Sequence, residues 1–161
     1  MRPERTIQKN LKRRKIIVDE NLAFHKKVPL PTWIELSLID TCNRSCSFCP
    51  KSNDLIAPDT HQKMERVLID KISNELVKLK FNGAFALCGY GEPLLHKDLP
   101  YITKKLAKAG RVEIVTNGDV LTAKKIVELY NSDASKLLIS MYDGPKQIDK
   151  FKKMIKKSGV P

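Results

Sequence analysis

Three of the four cysteines stand within eight residues, as Cys42, Cys46 and Cys49, and Pro50 follows the last of them. Thiolates at this close spacing are typical ligands of zinc or of an iron–sulfur cluster. Spacings of four and then three residues would also place small apolar side chains on one stripe of a helix. The residues between the cysteines are mostly asparagine and serine, which are poor interior helix residues, so the pattern favours a metal or a cluster.

The number of ligands separates the two metal chemistries. Structural zinc takes four Cys or His ligands, usually as two pairs. Cys88, His61 or His96 could supply a fourth ligand, but none of them forms a second pair. We predict that Cys88 is a small buried residue of a strand and that both histidines lie on the surface. Three thiolates would leave one iron of a four-iron cluster open to an exogenous ligand.

The elements that must position these cysteines alternate between strand-like and helical patterns. The four predicted strands are Trp33 to Ile39, Gly83 to Cys88, Arg111 to Val115 and Lys136 to Met141. A helical pattern follows each strand. The first has apolar residues at Met64, Leu68, Ile72, Leu76 and Leu79, and the second at Leu95, Leu99, Ile102, Leu106 and Ala109. The third helix is capped by Thr122, and the fourth has apolar residues at Ile148, Phe151 and Ile155. Four β-α units in succession predict an α/β fold with a parallel sheet.

Each predicted strand runs into a polar or glycine-containing loop. These loops are 41–51, 89–93, 116–118 and 140–144. Ligands of parallel α/β sheets gather at the carboxyl ends of the strands. The four loops are therefore expected to converge on one rim.

Two motifs on this rim, taken together, resemble a known family. Cys42 to Cys49 has the form CxxxCxxC, with aromatic Phe48 before the last cysteine, and it follows the first strand. The turn Tyr90-Gly91-Glu92-Pro93 follows the second strand. The ordered pair resembles the radical S-adenosylmethionine (radical SAM) superfamily, although Tyr90 stands where the family's turn has its first glycine.

The resemblance implies site residues one by one. In that family the three cysteines ligate a [4Fe-4S] cluster, which assigns Cys42, Cys46 and Cys49 as metal ligands. The cofactor-binding residues that it implies are Phe48 near the adenine, Gly91 and Glu92 at the methionine amino group, and Asn117 and Ser140. Phe48 has packing under the loop as an alternative, and Asn117 and Ser140 have helix capping or turn closure. No catalytic side chain beyond the cluster is implied.

The implied function is that of a radical SAM enzyme. In the family, S-adenosylmethionine is cleaved reductively to a 5′-deoxyadenosyl radical that abstracts hydrogen from a substrate, which is a peptide, a nucleic acid or a metabolite in different members. An electron donor such as flavodoxin or ferredoxin is implied. The amino-acid sequence of the cysteine loop is most similar to the corresponding loops of the peptide-modifying, SPASM-like group. The alternative is a non-catalytic iron–sulfur or zinc-binding module whose basic ends bind nucleic acid or a partner protein.

Length and charge bound these expectations. The chain has 161 residues, too few for a closed eight-unit barrel, and the family's core generally has six units against four predicted here. We therefore expect a basic segment over 1–29 and, over 30–161, the N-terminal part of a radical SAM core, an open TIM-like barrel. Either it belongs to a longer protein or a partner chain covers its open edge. A net charge of +12 concentrated at the ends, with no signal peptide or membrane span, predicts a cytoplasmic protein.

Overall fold

A computed structural model describes residues 22–161 and, before them, 8–9, 11–12, 15–16 and 18–19. Much of the predicted basic segment 1–29 lies outside the described residues. Its last part forms a two-stranded antiparallel hairpin of β1 (Phe24–His25) and β2 (Val28–Pro29), and both strands are exposed.

The main sheet has four parallel strands that stand side by side in chain order. They are β3 (Trp33–Leu36), β4 (Ala84–Leu87), β5 (Arg111–Thr116) and β6 (Lys136–Ile139). All four residues of β4 are buried, which fits a central strand covered on both faces. The predicted α/β class and its parallel sheet are confirmed.

Each strand is followed by a helix, so the sheet is built from four βα units. The helices are α1 (Arg66–Lys78), α2 (Leu99–Leu106), α3 (Ala123–Tyr130) and α4 (Lys146–Ser158). The predicted cap of α3 is confirmed, since the Thr122 hydroxyl accepts a hydrogen bond from the Lys125 N–H at 3.1 Å. Gly159 ends α4 in the left-handed conformation that glycine adopts without strain.

The predicted first strand is longer than β3, because its last residues change partner. Beyond Leu36 the chain pairs with residues 62–64 instead of with β4. The Asp40 N–H donates to the Gln62 carbonyl at 3.1 Å, and the Met64 N–H donates to the Leu38 carbonyl at 2.8 Å. This short antiparallel pairing anchors the start of the cysteine loop to the segment that leads into α1.

Two predicted helix faces are confirmed only in part. Met64, just before α1, and Ile72 and Leu76 within it pack against the core as predicted. In α1 the fully buried residue is Ile69, whereas Leu68 is 46% exposed. In α4 Phe151 is buried as predicted, but Ile148 and Ile155 are about two-fifths exposed. The apolar face of each helix is wider than its contact with the rest of the fold, so only part of that face is buried.

Candidate functional site

The cysteine loop leaves the sheet at β3 and has no helical turn between Cys42 and Cys49, so the helical-stripe alternative is wrong. The Cys49 N–H donates to the Cys46 carbonyl at 2.9 Å, and the Ser52 hydroxyl donates to the Cys49 carbonyl at 2.8 Å. A short 3-10 helix, Pro50–Ser52, then ends the loop. All three thiols are half-buried.

The loops after all four strands of the sheet meet around one cavity of about 110 Å³. Every site residue predicted from the sequence lines this cavity, namely Cys42, Cys46, Phe48, Cys49, Gly91, Glu92, Asn117 and Ser140. The expected convergence on one rim is therefore confirmed. A larger cavity of about 600 Å³ lies between the end of β3 and the start of α1, and it contains none of these residues.

Gly91 brings the two motifs into direct contact. A Cβ atom at this position would lie 1.8 Å from the Ile39 carbonyl oxygen, so a side chain would displace the backbone that enters the cysteine loop. The Glu92 N–H donates to the Thr41 carbonyl at 2.9 Å, one residue before Cys42. Glycine is needed here because two backbone segments approach closely.

The Glu92 carboxylate is turned inward, with 2% of the residue exposed. One oxygen accepts the Leu94 N–H at 2.9 Å and the Thr116 hydroxyl at 2.6 Å, and the other accepts the Asn117 N–H at 2.9 Å. These bonds tie the turn after β4 to the end of β5. The side chain is occupied by internal partners, so a ligand in the cavity would meet this turn through its main chain.

The Asn117 side chain is also hydrogen-bonded to neighbouring residues, within its own loop and in the cysteine loop. Its amide oxygen accepts the Asp119 N–H at 2.9 Å, which closes the turn as the alternative anticipated. Its amide nitrogen donates to the Asn43 side-chain oxygen at 2.9 Å. Ser140 is half-buried, and its N–H donates to the Thr116 carbonyl at 2.8 Å. The binding of the cofactor by Asn117 and Ser140 stays a prediction.

Phe48 is 71% exposed, so it does not pack under the loop and that alternative is wrong. Its ring lies 5.4 Å from the Tyr142 ring, centroid to centroid, in a tilted arrangement. The pair joins the cysteine loop to the loop after β6 at the mouth of the cavity. An exposed aromatic ring at this mouth is suited to stacking against a planar ligand.

Arg44 makes the main set of contacts in this site that sequence analysis did not predict. Its guanidinium donates to both carboxylate oxygens of Asp119, each at 2.6 Å, and to both oxygens of Asp143, at 2.9 and 2.6 Å. It also lies 5.5 Å from the centre of the Tyr142 ring. With the contacts above, this gives a rim network of Asn43, Arg44, Glu92, Thr116, Asn117, Asp119 and Asp143.

His96 and His61 stand outside the cavity lining. His96 is only 4% exposed, so its prediction as a surface residue is wrong, and burial holds its pKa below the usual 6.5. Its ring bonds the Met64 carbonyl at 3.2 Å and accepts the Asp98 N–H at 3.1 Å. His61 is exposed, as predicted.

Burial raises the pKa of the Cys42 thiol, and the negative charges of Glu92 and of the other two cysteines raise it further. Burial also raises the pKa of Cys88, which is half-buried at the end of β4 and lines the same cavity. A nearby cation would oppose this shift and favour the thiolate at Cys42. A bound metal centre provides that charge, because thiolate ligation and proton loss occur together.

The three thiols on this cavity match what a four-iron cluster needs from a protein. In the part of the chain that the structure describes, no three His, Cys, Asp or Glu side chains come close enough around one point to hold one metal ion. A four-iron cluster differs in that each thiolate binds a separate iron. Three thiols on one cavity, with the neighbouring carboxylate of Glu92 already bonded elsewhere, match that requirement.

A comparison with protein-family models identifies the chain. The model of the radical SAM superfamily matches residues 36–160. The chain belongs to the radical SAM superfamily. Radical SAM proteins use a [4Fe-4S] cluster and S-adenosylmethionine, in agreement with the cofactors predicted from the cysteine loop.

Curated radical SAM relatives are enzymes with different named reactions. The S-adenosyl-L-methionine-dependent 2-deoxy-scyllo-inosamine dehydrogenase of Niallia circulans is 32% identical over 118 residues, which cover 71% of this chain and 46% of that protein. A GTP 3′,8-cyclase of Rhizobium etli is 26% identical over 132 residues, which cover 76% and 35%. The chain thus spans less than half the length of these relatives.

A solved radical SAM structure shares the fold. The crystal structure of BtrN in complex with AdoMet and 2-DOIA matches with a TM-score of 0.67 and 30% identity, over 78% of this chain and 50% of that one. The likeness supports the prediction of an open, TIM-like β/α barrel.

Among the helices of the described residues, none has the length and apolar character needed to cross a membrane.

Proposed function

We propose that this chain forms the cofactor-binding part of a radical SAM enzyme. In this proposal Cys42, Cys46 and Cys49 hold the [4Fe-4S] cluster, and S-adenosylmethionine binds beside it in the same cavity. When bound, the reduced cluster and S-adenosylmethionine supply a 5′-deoxyadenosyl radical that abstracts hydrogen from the substrate. The observation that carries the proposal is the meeting of all eight predicted residues on one cavity at the carboxyl ends of the strands.

The chain's own residues position and enclose the cofactors. Gly91 lets the turn after β4 lie against the backbone before Cys42, so the methionine end of the ligand would face main-chain groups of that turn. Asn117 and Ser140 line the same cavity, and the Asn117 N–H is bonded to the carboxylate of the neighbouring Glu92. Phe48 and Tyr142 stand at the mouth, where their rings would stack on the adenine and limit the access of water.

The relatives favour a small polar metabolite as the substrate over a peptide. The two named reactions act on 2-deoxy-scyllo-inosamine and on GTP, and both compounds are small polar metabolites that carry hydroxyl groups on a ring. Only the amino-acid sequence of the cysteine loop favours membership in the peptide-modifying, SPASM-like group. We further propose a cytoplasmic location and an electron donor of the flavodoxin or ferredoxin type. A partner chain or further units would cover the open edge of β6.

Anaerobic reconstitution with iron and sulfide tests the proposal. We expect a broad brown absorbance and, after addition of S-adenosylmethionine and dithionite, release of 5′-deoxyadenosine. Cys46→Ala should abolish both signals. Cys88→Ala is the matched control, because Cys88 lines the same cavity outside the motif, and it should retain the cluster.

The outcomes separate the two classes of function. A cluster that forms without binding or cleaving S-adenosylmethionine would favour the non-catalytic iron–sulfur module. Stoichiometric zinc that displaces iron, with loss of binding in Cys46→Ala, would favour the zinc module. If Cys88→Ala removed the cluster as completely as Cys46→Ala, the assignment of the ligands would be wrong.

A further inference from the structure

We infer that Arg44 is a positioning residue that holds the cysteine loop in its ligand-binding shape before any cofactor arrives. It does so by clamping Asp119 and Asp143, which belong to the loops after β5 and β6. The inference rests on the proposed function for the role of the cysteines as ligands. Its structural part, the fixing of the loop by Arg44, can be tested without a cofactor.

The clamp joins three loops through one side chain. Arg44 lies between Cys42 and Cys46, and its Nε and Nη2 atoms donate to the two oxygens of Asp119. Nη1 and Nη2 donate to the two oxygens of Asp143. The planar guanidinium has five N–H donors in a fixed fork, so it can hold two carboxylates at once, whereas a lysine ammonium cannot reproduce this geometry.

The clamp is partly shielded from water. The Arg44 side chain is 19% exposed and that of Asp119 is 27% exposed, whereas that of Asp143 is 57% exposed. Charge-assisted bonds at shielded positions are stronger than those of open surface pairs. Bonding to Arg44 also holds the pKa values of the Asp119 and Asp143 carboxyls below their usual range. The arm to Asp119 is therefore expected to be the stronger one.

Asn43, next to Arg44 in the chain, also connects the cysteine loop to the loop after β5. The Asn43 amide nitrogen donates to Asp119 at 3.2 Å, and its oxygen accepts the Asn117 amide at 2.9 Å. Two consecutive residues between the first two cysteines are thus tied to the loop after β5. Such a segment has little freedom, so Cys42 and Cys46 keep a fixed relation without a metal between them.

A second arginine of the chain provides a matched control. Arg66 pairs with Asp98 and lies 4.5 Å from the centre of the Tyr101 ring, so it makes the same kinds of contact. It stands at the start of α1 and does not line the cysteine cavity. A general loss of stability would follow from either substitution, but a change confined to the cysteine loop would follow only from Arg44.

The first experiment uses the metal-free chain under reducing conditions. Mass spectrometry would follow the alkylation rate of each cysteine by iodoacetamide. We expect Arg44→Ala to raise the rates at Cys42 and Cys46 about tenfold, the size of a coupling of about 1.4 kcal/mol, while Cys88 changes less than about twofold. Arg44→Lys should fall between the wild type and Arg44→Ala. Arg66→Ala should leave all four rates close to those of the wild type.

A double-mutant cycle then identifies the arms of the clamp. Asp119→Asn and Asp143→Asn should each raise the alkylation rates, Asp119→Asn by more, and neither should add to Arg44→Ala. Equal alkylation rates in Arg44→Ala and the wild type would overturn the inference. So would equal acceleration in Arg44→Ala and Arg66→Ala, because that result would mean a general loss of stability.

The second experiment uses the reconstituted chain and a ferrous-iron chelator. We expect Arg44→Ala to lose iron about tenfold faster than the wild type, with Arg66→Ala within about twofold. Addition of S-adenosylmethionine should change the electron paramagnetic resonance spectrum of the reduced cluster less in Arg44→Ala than in the wild type. If the wild type takes up no iron, the proposed function fails, and the alkylation rates still decide the role of Arg44. If iron is taken up and lost at equal rates in all variants, the role in cluster retention fails and the proposed function stands.

Discussion

Two regions of the molecule are built from the same parts, an arginine, aspartates and a tyrosine ring, and they differ in what they join. The rim network joins the loops after β3, β4, β5 and β6 around the cysteine cavity. The second region, the helix-face network, joins α1 to α2 and to the turn before it. Its members are Arg66, Asp70, His96, Asp98, Tyr101 and Lys105.

The difference between the two networks lies in the backbone that they restrain. The helix-face network connects elements that are already regular, so its loss should lower stability and leave the cavity unchanged. The rim network connects irregular loops, whose shape depends on side-chain bonds because they have no ladder of their own. Contacts of one chemical type therefore support the fold in one place and the site in the other.

Gly91→Ala should have the largest effect on the rim. The added Cβ would meet the Ile39 carbonyl oxygen at 1.8 Å, and backbone on both sides would have to move. We expect the free energy of unfolding to fall by about 3 kcal/mol and the cluster to be held poorly. Denaturant unfolding and iron content would measure the two effects.

Gly159→Ala is the control for this prediction. Gly159 has φ +69, and a Cβ at this position would have no heavy atom within 4 Å, so only backbone strain of about 1 kcal/mol is expected there. Its iron content should match that of the wild type. A Gly91→Ala variant as stable as Gly159→Ala and equally rich in iron would contradict the close contact between the two motifs.

Glu92→Gln should have the next largest effect. The variant amide places a donor among groups that now donate to the carboxylate, at Thr116 and Asn117. We expect a loss of about 2 kcal/mol in the free energy of unfolding, measured by denaturant titration. Glu128→Gln, at an exposed pair with Lys124 at 3.8 Å, should change it by less than about 0.5 kcal/mol. Equal losses in both variants would mean that Glu92 does not organise the rim.

His96 allows a pH test of the helix-face network. Burial lowers its pKa below 6.5, and the charges around it are those of Asp98, Lys63 and Glu65. A depressed folded pKa means that its stabilisation is present above pH 6.5 and is lost as the pH falls. The free energy of unfolding should therefore drop between about pH 7.5 and about pH 5.5, and His96→Gln should flatten that slope. An unchanged slope would assign the pH dependence to other groups.

The smallest effects compare the two tyrosines. The Tyr101 hydroxyl donates to the Asp70 carboxylate at 2.8 Å, so Tyr101→Phe should lower the free energy of unfolding by about 1 kcal/mol. Tyr142 contributes its ring face to Phe48 and Arg44, so Tyr142→Phe should be close to neutral. Thermal melts of the two variants measure the difference. A larger loss in Tyr142→Phe would show that its hydroxyl has a structural role.

The sequence predicted the arrangement of the strands and the convergence of the loops that follow them, because both follow from local patterns. The eight site residues were implied by the resemblance to the radical SAM superfamily. Alternating apolar runs marked the strands, and the order of loops in a parallel sheet placed Cys42 and Gly91 on one rim. The buried position of His96 was missed because it depends on the Met64 carbonyl, 32 residues away. The most buried positions of α1 and α4 were missed in part, because the fold covers only part of each apolar face.

The role of Arg44 could not be predicted for a similar reason. Basic residues in polar loops are usually solvated, and nothing near Arg44 in the sequence indicates a partner. The aspartates that it holds stand 75 and 99 residues further along the chain. Only the folded sheet brings them together.

That separation sets the order of events during synthesis. The cysteine loop leaves the ribosome before its partners, and the carboxylate that completes its clamp is made 99 residues later. Contacts at such a distance form late, after the loop-closure entropy of the intervening chain has been overcome. Until then the thiols are on an unfinished scaffold and are open to oxidants. If the proposed cluster is held by these cysteines, we expect its insertion to follow the docking of the fourth βα unit, so that a loaded cluster would report that all four units have come together.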